Sequence, residues 1–298
     1  MYDVVIIGAG PAGLSAGIYA CRGGLKVAII ENKSVGGQAQ TAADIQNYPG
    51  VKSTSGFDLC YAMMNQCMEF GAEFVFDSIT SVSLIDETKA IGLASGKVVE
   101  AKNVIIASGA NARKLGVPNE SKFIGKGVSY CATCDGAFFK GKTVAVIGGG
   151  NTAAEDALYL EKLAKKVYMV HRRDALRADD ILVKRLEKSN VEIVWDSVVE
   201  NLGGEDKITQ LTLKNVKTNA LTTISVDGVF VAIGQTPNSQ GFENVSLSSG
   251  GYIITDENMH TNIDKVYAVG DVREKSLRQV VTACADGAIA ANAIVNGI

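Results

Sequence analysis

A chain of 298 residues, 47% apolar and 20% charged, is long enough for two domains of ordinary size and has the composition of a globular protein. Its net charge of −3 and pI near 5.6 argue against a nucleic-acid partner, which calls for a basic face. No window holds the run of about 18 apolar residues that a membrane span needs, and the start, Met1-Tyr2-Asp3, runs into an apolar strand without a charged leader or small-residue cleavage site.

Val4 to Ile7 is a β-branched run, followed at once by Gly8-Ala9-Gly10-Pro11-Ala12-Gly13 and then by small and apolar residues, Leu14 to Ala20, at helical spacing. The pattern predicts a strand, a tight turn and a helix carrying GxGxxG. Gly8 permits the turn, Gly10 lets the backbone approach a pyrophosphate, and Gly13 lets helix and strand pack closely, with the helix amino terminus toward the phosphates. A second strand, Lys26 to Ile30, ends in Glu31, 18 residues beyond Gly13. A carboxylate there would accept hydrogen bonds from a ribose diol.

Val35-Gly36-Gly37-Gln38 and Ile45-Gln46-Asn47-Tyr48-Pro49-Gly50 lack periodicity and predict a loop lying against something. From Gly56 to Phe70 the spacing turns helical, and Cys60 and Cys67 fall on one face, as core. Alternation over Phe74 to Leu84, Ala90 to Leu93 and Val98 to Glu100 predicts a meander or hairpins. Val104 to Ala107 is then a buried strand ending in Ser108-Gly109, small residues as at a site where a ligand comes close.

Cys131-Ala132-Thr133-Cys134 closes too small a loop to be worth much as a cross-link. Reversible redox chemistry is the better reason for it: one sulfur attacks and the other resolves. Asp135 is placed to shuttle the proton, although Asp135-Gly136 is also an ordinary turn pair. The two cysteines are also half of a zinc site, but the other four, Cys21, Cys60, Cys67 and Cys284, are scattered singly, with only His171 and His260 to help. No metal site is therefore read. Six uneven cysteines with one working pair fit a reducing cytoplasm.

About 140 residues after the first fingerprint comes a second. Val144 to Ile147 precedes Gly148-Gly149-Gly150-Asn151-Thr152-Ala153, a GxGxxA, with a helix through Glu161. The strand after it, Lys166 to Val170, ends not in an acid but in His171-Arg172-Arg173, with Arg177 four further on. Guanidinium groups bind a 2′-phosphate that a carboxylate would repel, so this site suits NADPH, an exposed basic turn being the plainer alternative. Strands and turns are expected through Val191 to Asp196, Ile208 to Asn215, Ile224 to Gly228 and Val229 to Ile233. Gly251 to Ile254 and Val266 to Asp271 follow as strands, the latter ending in a Gly-Asp that suits ligand hydroxyls but is also a common turn. The chain finishes as a helix, Val280 to Val295.

Together these motifs resemble the low-molecular-weight, two-domain thioredoxin reductases over nearly the whole chain. The resemblance is carried by GxGxxG at Gly8 to Gly13, GGQ at Gly36 to Gln38, NYPG at Asn47 to Gly50, CATCDG at Cys131 to Gly136, GxGxxA at Gly148 to Ala153, HRRxxxR at His171 to Arg177, and the GDVR and RQVVTA segments. It implies an α/β fold of two Rossmann-like, three-layer ββα nucleotide-binding domains of the FAD/NAD(P)-binding type, the second inserted in the first. The FAD domain would span 1–112 and 239–298, and the NADPH domain, carrying the CxxC, 113–238. FAD would be held by Gly8, Gly10, Pro11, Ala12, Gly13, Glu31, Gly37, Gln38, Asn47, Gly109, Asp271, Arg278 and Gln279. NADPH would be held by Gly148, Gly150, Asn151, Thr152, Ala153, His171, Arg172, Arg173 and Arg177.

The resemblance further implies that Cys134 exchanges electrons with the flavin, Cys131 attacks the partner's disulfide, and Asp135 serves as acid and base. Thioredoxin is the expected partner and a homodimer the expected assembly. One flavin cannot face nicotinamide and disulfide together, so the two domains are expected to reorient about their connections. Relatives with another donor or acceptor, linked to ferredoxin, to a peroxiredoxin or to a small-molecule dithiol, are the alternatives; the arginine cluster and GxGxxA count against ferredoxin. A non-catalytic flavin-binding or zinc-dependent module would explain the parts separately but not their order.

Overall fold

A computed structural model describes residues 1–42 and 44–297. The chain forms two compact units, Met1–Asn111 with Thr236–Ile298, and Ala112–Gln235.

The first unit opens with β1 (Tyr2–Ile7), α1 (Pro11–Arg22), β2 (Val27–Glu31), α2 (Gly56–Glu69) and β3 (Glu73–Phe76). β1 pairs in parallel with β2, which pairs in parallel with β3. Ser55 starts α2 by accepting the Asp58 amide on its hydroxyl at 3.0 Å. Three more strands follow, β4 (Ile79–Ser83), β5 (Lys89–Leu93) and β6 (Val98–Ile106), antiparallel to one another in that order. The meander is therefore real but begins later than the alternation suggests, since Phe74 to Phe76 belongs to the parallel sheet. The stretches 98–100 and 104–106 are one strand, not two. Its first half pairs antiparallel with β5 and its second half runs in parallel beside β1, buried on both faces.

Alternation along β1 fixes the layers. Val4 and Ile6 face the helices, packing with Leu14, Ile18, Leu59 and Met63, while Val5 and Ile7 face the meander with Leu84, Ile91 and Leu93. Each such buried aliphatic contributes about 1.5–3 kcal/mol. Cys60 and Cys67 are fully buried among the helix-side residues, as expected of them.

The chain leaves this unit along β7 (Ala110–Ala112) and repeats the plan. It runs through α3 (Glu120–Phe123), β8 (Val128–Ser129), α4 (Ala132–Asp135), β9 (Thr143–Ile147), α5 (Asn151–Glu161), β10 (Lys166–Val170), α6 (Asp180–Glu187) and β11 (Glu192–Val194). A meander of β12 (Ser197–Gly204), β13 (Ile208–Asn215) and β14 (Leu221–Ser225) precedes β15 (Gly228–Val231) and the exit strand β16 (Gln235–Pro237). The parallel sheet has the order β11-β10-β9-β15-β8. Val144 and Val146 of β9 pack with Ala154, Ala157 and Leu160 on the helix side, and Ala145 and Ile147 with Leu202, Leu211 and Leu213 on the meander side. β12 lies where no strand is predicted, and β14 starts before the expected Ile224 to Gly228 and overlaps it only at Ile224 and Ser225.

β7 and β16 pair with each other, so the two crossings run side by side. On one side of this ladder the Arg113 amide donates to the Gly234 carbonyl at 3.0 Å, and on the other the Asn238 amide donates to the Gly109 carbonyl at 2.9 Å. The returning chain adds β17 (Val266–Ala268), parallel to the end of β6, a 3-10 turn over Gly270–Val272, and α7 (Val280–Asn296). Gly251 to Ile254 forms no strand; Ile253 makes only single bridges, to Leu247 and Arg273. α7 lies on α1 so closely that a Cβ at Gly287 would meet the Ala12 carbonyl oxygen at 2.1 Å.

Candidate active site

In the first unit, β1 delivers the chain into Gly8, whose φ of +107° and 2.5 Å clearance to the Ala107 carbonyl oxygen admit no side chain. A Cβ on Gly13 would strike the Gly8 carbonyl oxygen at 2.0 Å, which is the helix-on-strand contact expected of that glycine. Gly10 differs: a Cβ there would meet nothing within 4 Å. It stands at the amino terminus of α1 with no side-chain cap, so the first amides of the helix are left for an acceptor outside the chain. The Glu31 carboxylate accepts the Ala9 amide on Oε2 at 3.0 Å, and the Asn32 and Lys33 amides on Oε1 at 2.9 Å each. It is thereby held at the loop, with lone pairs remaining.

Of the other expected FAD residues, Gly37, with its neighbour Gly36, lies against the same loop. Gly36 donates its amide to the Ala9 carbonyl at 2.8 Å, and a Cβ on Gly37 would stand 3.6 Å from Gly10. Gln38 donates to the Asn111 side chain, which donates to Asn238, both at 2.8 Å. Asn47 donates to the Gln279 side-chain oxygen at 3.0 Å, and Gln279 caps α7 through a reciprocal capping box with Thr282. Arg278 lies over the Tyr252 ring, 4.2 Å from its centroid. Asp271 Oδ1 and Arg278 Nε are buried with no hydrogen-bond partner among the described residues. Such atoms are costly unless a ligand satisfies them. Burial pushes the Asp271 carboxyl up, the Lys275 and Arg278 charges pull it down, and the Asp286 charge pushes it up. The open face at Gly10, the uncapped helix and the two orphaned polar atoms fit a dinucleotide carrying a polyhydroxyl chain.

The second unit repeats the cradle. Gly150 starts α5 without a side-chain cap and faces open space. Ala153 is buried and Thr152 exposed. Asn151 and Asp179 exchange hydrogen bonds, side chain to side chain and amide to side chain, both at 2.8 Å, and the Arg177 amide donates to the Gly149 carbonyl at 2.7 Å. The arginine loop is thus pinned to the glycine loop. Arg172, Arg173 and Arg177 are exposed, and among the described residues no salt bridge joins them to a carboxylate. The nearby Asp174 is engaged by Lys217 at 3.0 Å. His171 is different from its neighbours, being buried. Its Nε2 lies 3.0 Å from the Ala175 carbonyl, and a Cβ on Gly149 would collide with its ring. Burial lowers the His171 pKa, the Ala175 bond opposes this, and the three arginines add to it. His171 and Asn151 therefore shape the loop, while the three arginines present the charge.

Cys131 and Cys134 are joined in a disulfide. Cys131 ends the approach from β8 and caps α4: its Sγ accepts the Cys134 amide at 3.2 Å. α4 packs on α5, where a Cβ on Gly136 would press on Tyr159 and Leu160 at about 3 Å, so only glycine lets the turn sit so low. Asp135 is half-buried, with its amide bonded to the Cys131 carbonyl at 3.1 Å. Burial raises its pKa, and the Ser129 hydroxyl, 2.5 Å away, works in the opposite direction. Ser129, at the end of β8, is a residue that sequence reasoning missed; its only signal was its place two before Cys131. Asn111 and Asn238 were missed too, and Asp286 and Lys275 behind Asp271.

The chain matches the family model described as pyridine nucleotide-disulphide oxidoreductase over residues 2–287. It is 44% identical to a thioredoxin reductase of Treponema pallidum over 299 residues, covering 100% of this chain and 97% of that one. It is 47% identical to a thioredoxin reductase of Peptoclostridium acidaminophilum, covering 98% and 95%. The crystal structure of thioredoxin reductase from Streptococcus pyogenes superposes with a TM-score of 0.94 at 44% identity, covering 99% of this chain and 97% of that one. No helix among the described residues is long and apolar enough to cross a membrane. The chain belongs to the pyridine nucleotide-disulphide oxidoreductases and, among them, to the low-molecular-weight thioredoxin reductase family, which uses a flavin and a pyridine nucleotide.

Proposed function

We propose that this enzyme transfers electrons from NADPH, through FAD and the Cys131–Cys134 disulfide, to oxidised thioredoxin. The observation that carries the reading is the disulfide itself, formed next to a half-buried acid in a nucleotide-fold unit inserted within another. In this reading the unit of 1–111 and 236–298 binds FAD, resuming three residues before the expected 239, and 112–235 binds NADPH. Gly8 to Gly13 receive the FAD pyrophosphate, Glu31 its ribose, and Gly37, Gln38, Asn47, Gly109, Asp271, Arg278 and Gln279 the flavin and its polyhydroxyl chain. Gly148 to Ala153 receive the NADPH pyrophosphate, and Arg172, Arg173 and Arg177 its 2′-phosphate, with His171 beneath them.

When bound, NADPH would supply a hydride, and FAD would pass its electron pair on to the disulfide. Two electrons delivered to the disulfide break the bond between the sulfurs, and Asp135, its carboxyl raised by burial, gives up a proton to one of the resulting thiolates. The Cys134 amide, 3.2 Å from Cys131 Sγ, favours negative charge on that sulfur. Cys131 then attacks the thioredoxin disulfide, forming a mixed disulfide and expelling one thioredoxin thiolate. Asp135 takes the proton back from Cys134, whose thiolate attacks Cys131 Sγ, reforming the intramolecular bond and expelling the second thioredoxin sulfur. The two thioredoxin thiolates take up protons from solvent to give the dithiol. A single flavin cannot serve both nucleotide and disulfide at once, so the reading requires the units to take turns about β7 and β16.

A homodimer belongs to the same reading. Large apolar side chains exposed on the helices of the first unit, among them Tyr19, Phe57, Tyr61 and Met68, support it. Location in the cytoplasm is supported by four cysteines that remain free thiols.

Anaerobic titration with NADPH, followed by flavin absorbance, tests the reading directly. Bleaching that oxidised thioredoxin reverses is expected in the unaltered protein, whereas Cys134→Ser should keep FAD and bleach without passing electrons on. Thioredoxin reduction at a normal rate by Cys134→Ser would overturn the assignment of the pair.

A further inference from the structure

We propose that Asp286 is a positioning residue for the flavin site and that, with Lys275, it sets the reduction potential of the flavin. This rests on the reading that the first unit holds FAD. Asp286, on α7, is only 6% exposed. Its Oδ2 accepts the Gly270 amide at 3.0 Å and the Lys275 ammonium at 2.7 Å, and its Oδ1 accepts Arg273 Nη1 at 3.4 Å. The Lys275 and Arg273 side chains are themselves largely withdrawn from solvent, 8% and 15% exposed. Arg273 is further fixed by Nε donating to the Thr255 hydroxyl at 2.8 Å. Buried ion clusters of this kind seldom add net stability over apolar packing, so stability alone is a poor reason for three charges here.

Their position supplies a better one. Gly270 opens the turn that presents Asp271, and a Cβ on Gly270 would stand 2.8 Å from the Ala12 side chain. The Asp286 carboxylate therefore ties down the amide between the glycine-rich loop and the orphaned Asp271 oxygen. Both Asp286 and Lys275 act on the Asp271 carboxyl, in opposite directions, so their charges reach the cradle. Two cations against one anion leave the wall behind Asp271 with a net positive charge. Reduction of a flavin adds negative charge to its ring, so this wall favours the reduced form, and the anion moderates it.

The test is anaerobic redox titration of the FAD-loaded protein against a reference dye, with Cys131 and Cys134 both replaced by Ser so that the flavin titrates alone. Asp286→Asn keeps an acceptor for the Gly270 amide and removes a negative charge. It should shift the flavin equilibrium at least tenfold toward reduction, about 30 mV for a two-electron couple. Lys275→Met should shift it by a similar factor toward oxidation, and Lys275→Arg should not shift it. A merely structural role would loosen the site in both variants and move both in one direction, and such a result, or no shift in either, would overturn the proposal. Should Asp286→Asn fail to fold, the Lys275 pair decides alone: equal potentials for Met and Arg overturn it. An unaltered protein that takes up no FAD would overturn the reading beneath the inference, and the inference with it.

Discussion

The Ser129 hydroxyl donates to the Asp135 carboxylate across 2.5 Å while accepting the Cys131 amide at 3.1 Å. One side chain thus joins the proposed proton carrier to the backbone of a redox cysteine. Burial and this bond oppose each other at Asp135, with burial the larger. Replacing Ser129 by Ala removes the opposing influence, so the Asp135 carboxyl should move further up. The pH dependence of thioredoxin reduction by the pre-reduced enzyme should show its Asp135 limb displaced to higher pH. Asp135→Asn should remove that limb and slow the step by about 10²-fold or more. An unchanged profile in Ser129→Ala would separate the hydroxyl from the proton path.

Gly8 and Gly10 lie two apart in one loop but should fail differently. At Gly8 an added methyl meets a carbonyl oxygen at 2.5 Å on backbone with positive φ, so Gly8→Ala should cost about 2 kcal/mol or more of stability. Gly10 has φ −76° and open space, so Gly10→Ala should melt like the unaltered apoprotein yet bind FAD more weakly. Apoprotein melting and FAD affinity by flavin fluorescence check both. Equal FAD affinity for Gly10→Ala and the unaltered protein would remove that glycine from the pyrophosphate site.

Neutral replacement of Arg172 and Arg173 should weaken NADPH by about 1.5–3 kcal/mol for each charge-assisted hydrogen bond lost, with little effect on NADH. The loss should shrink as salt rises, because both side chains are exposed. Affinities measured by flavin-independent calorimetry suffice, and equal losses for the two nucleotides would sink the assignment.

Asp156, on the helix that follows the second glycine loop, is pushed from an ordinary 3.8 up to about 7 by burial, with the Glu155 charge adding to it. A carboxyl raised in the folded state holds its proton there longer than in the unfolded chain. Stability therefore falls as pH rises from about 4 through about 7 and is level above that. Asp156→Asn should match the unaltered protein near pH 4 and exceed it at pH 8 by about 2 kcal/mol, the full shift being discounted for partial exposure. Thermal melts at the two values check this; a gap of the same size at both would assign the effect to packing.

Both glycine fingerprints were legible because Gly8, Gly13 and Gly148 answer local steric demands while Gly10 and Gly150 leave the helix amino termini open, and the acid at Glu31 and the bases at Arg172 and Arg173 follow at fixed distances from them. β12 was not, since register shifts between Val199 and Asn201 and between Gly203 and Gly204 break the alternation that marks a strand. Gly251 to Ile254 has the apolar character of a strand but only single bridges as partners. Ser129, Asn238 and Asp286 acquire meaning only when the fold carries them to Asp135, Asn111 and Gly270. No spacing rule in one chain encodes such meetings.

The pairing of β7 with β16 brings the beginning and the end of Ala112–Gln235 together. A segment whose ends already touch is a closed cassette: it can be lifted out, its termini fused and new ones opened in a surface turn, without stretching any strand of its sheet. The same seam lets residue 111 be spliced to 236 through a short turn. Modularity is thus written into two short strands at a single place on the chain, and domain exchange among related enzymes has its natural cut sites there.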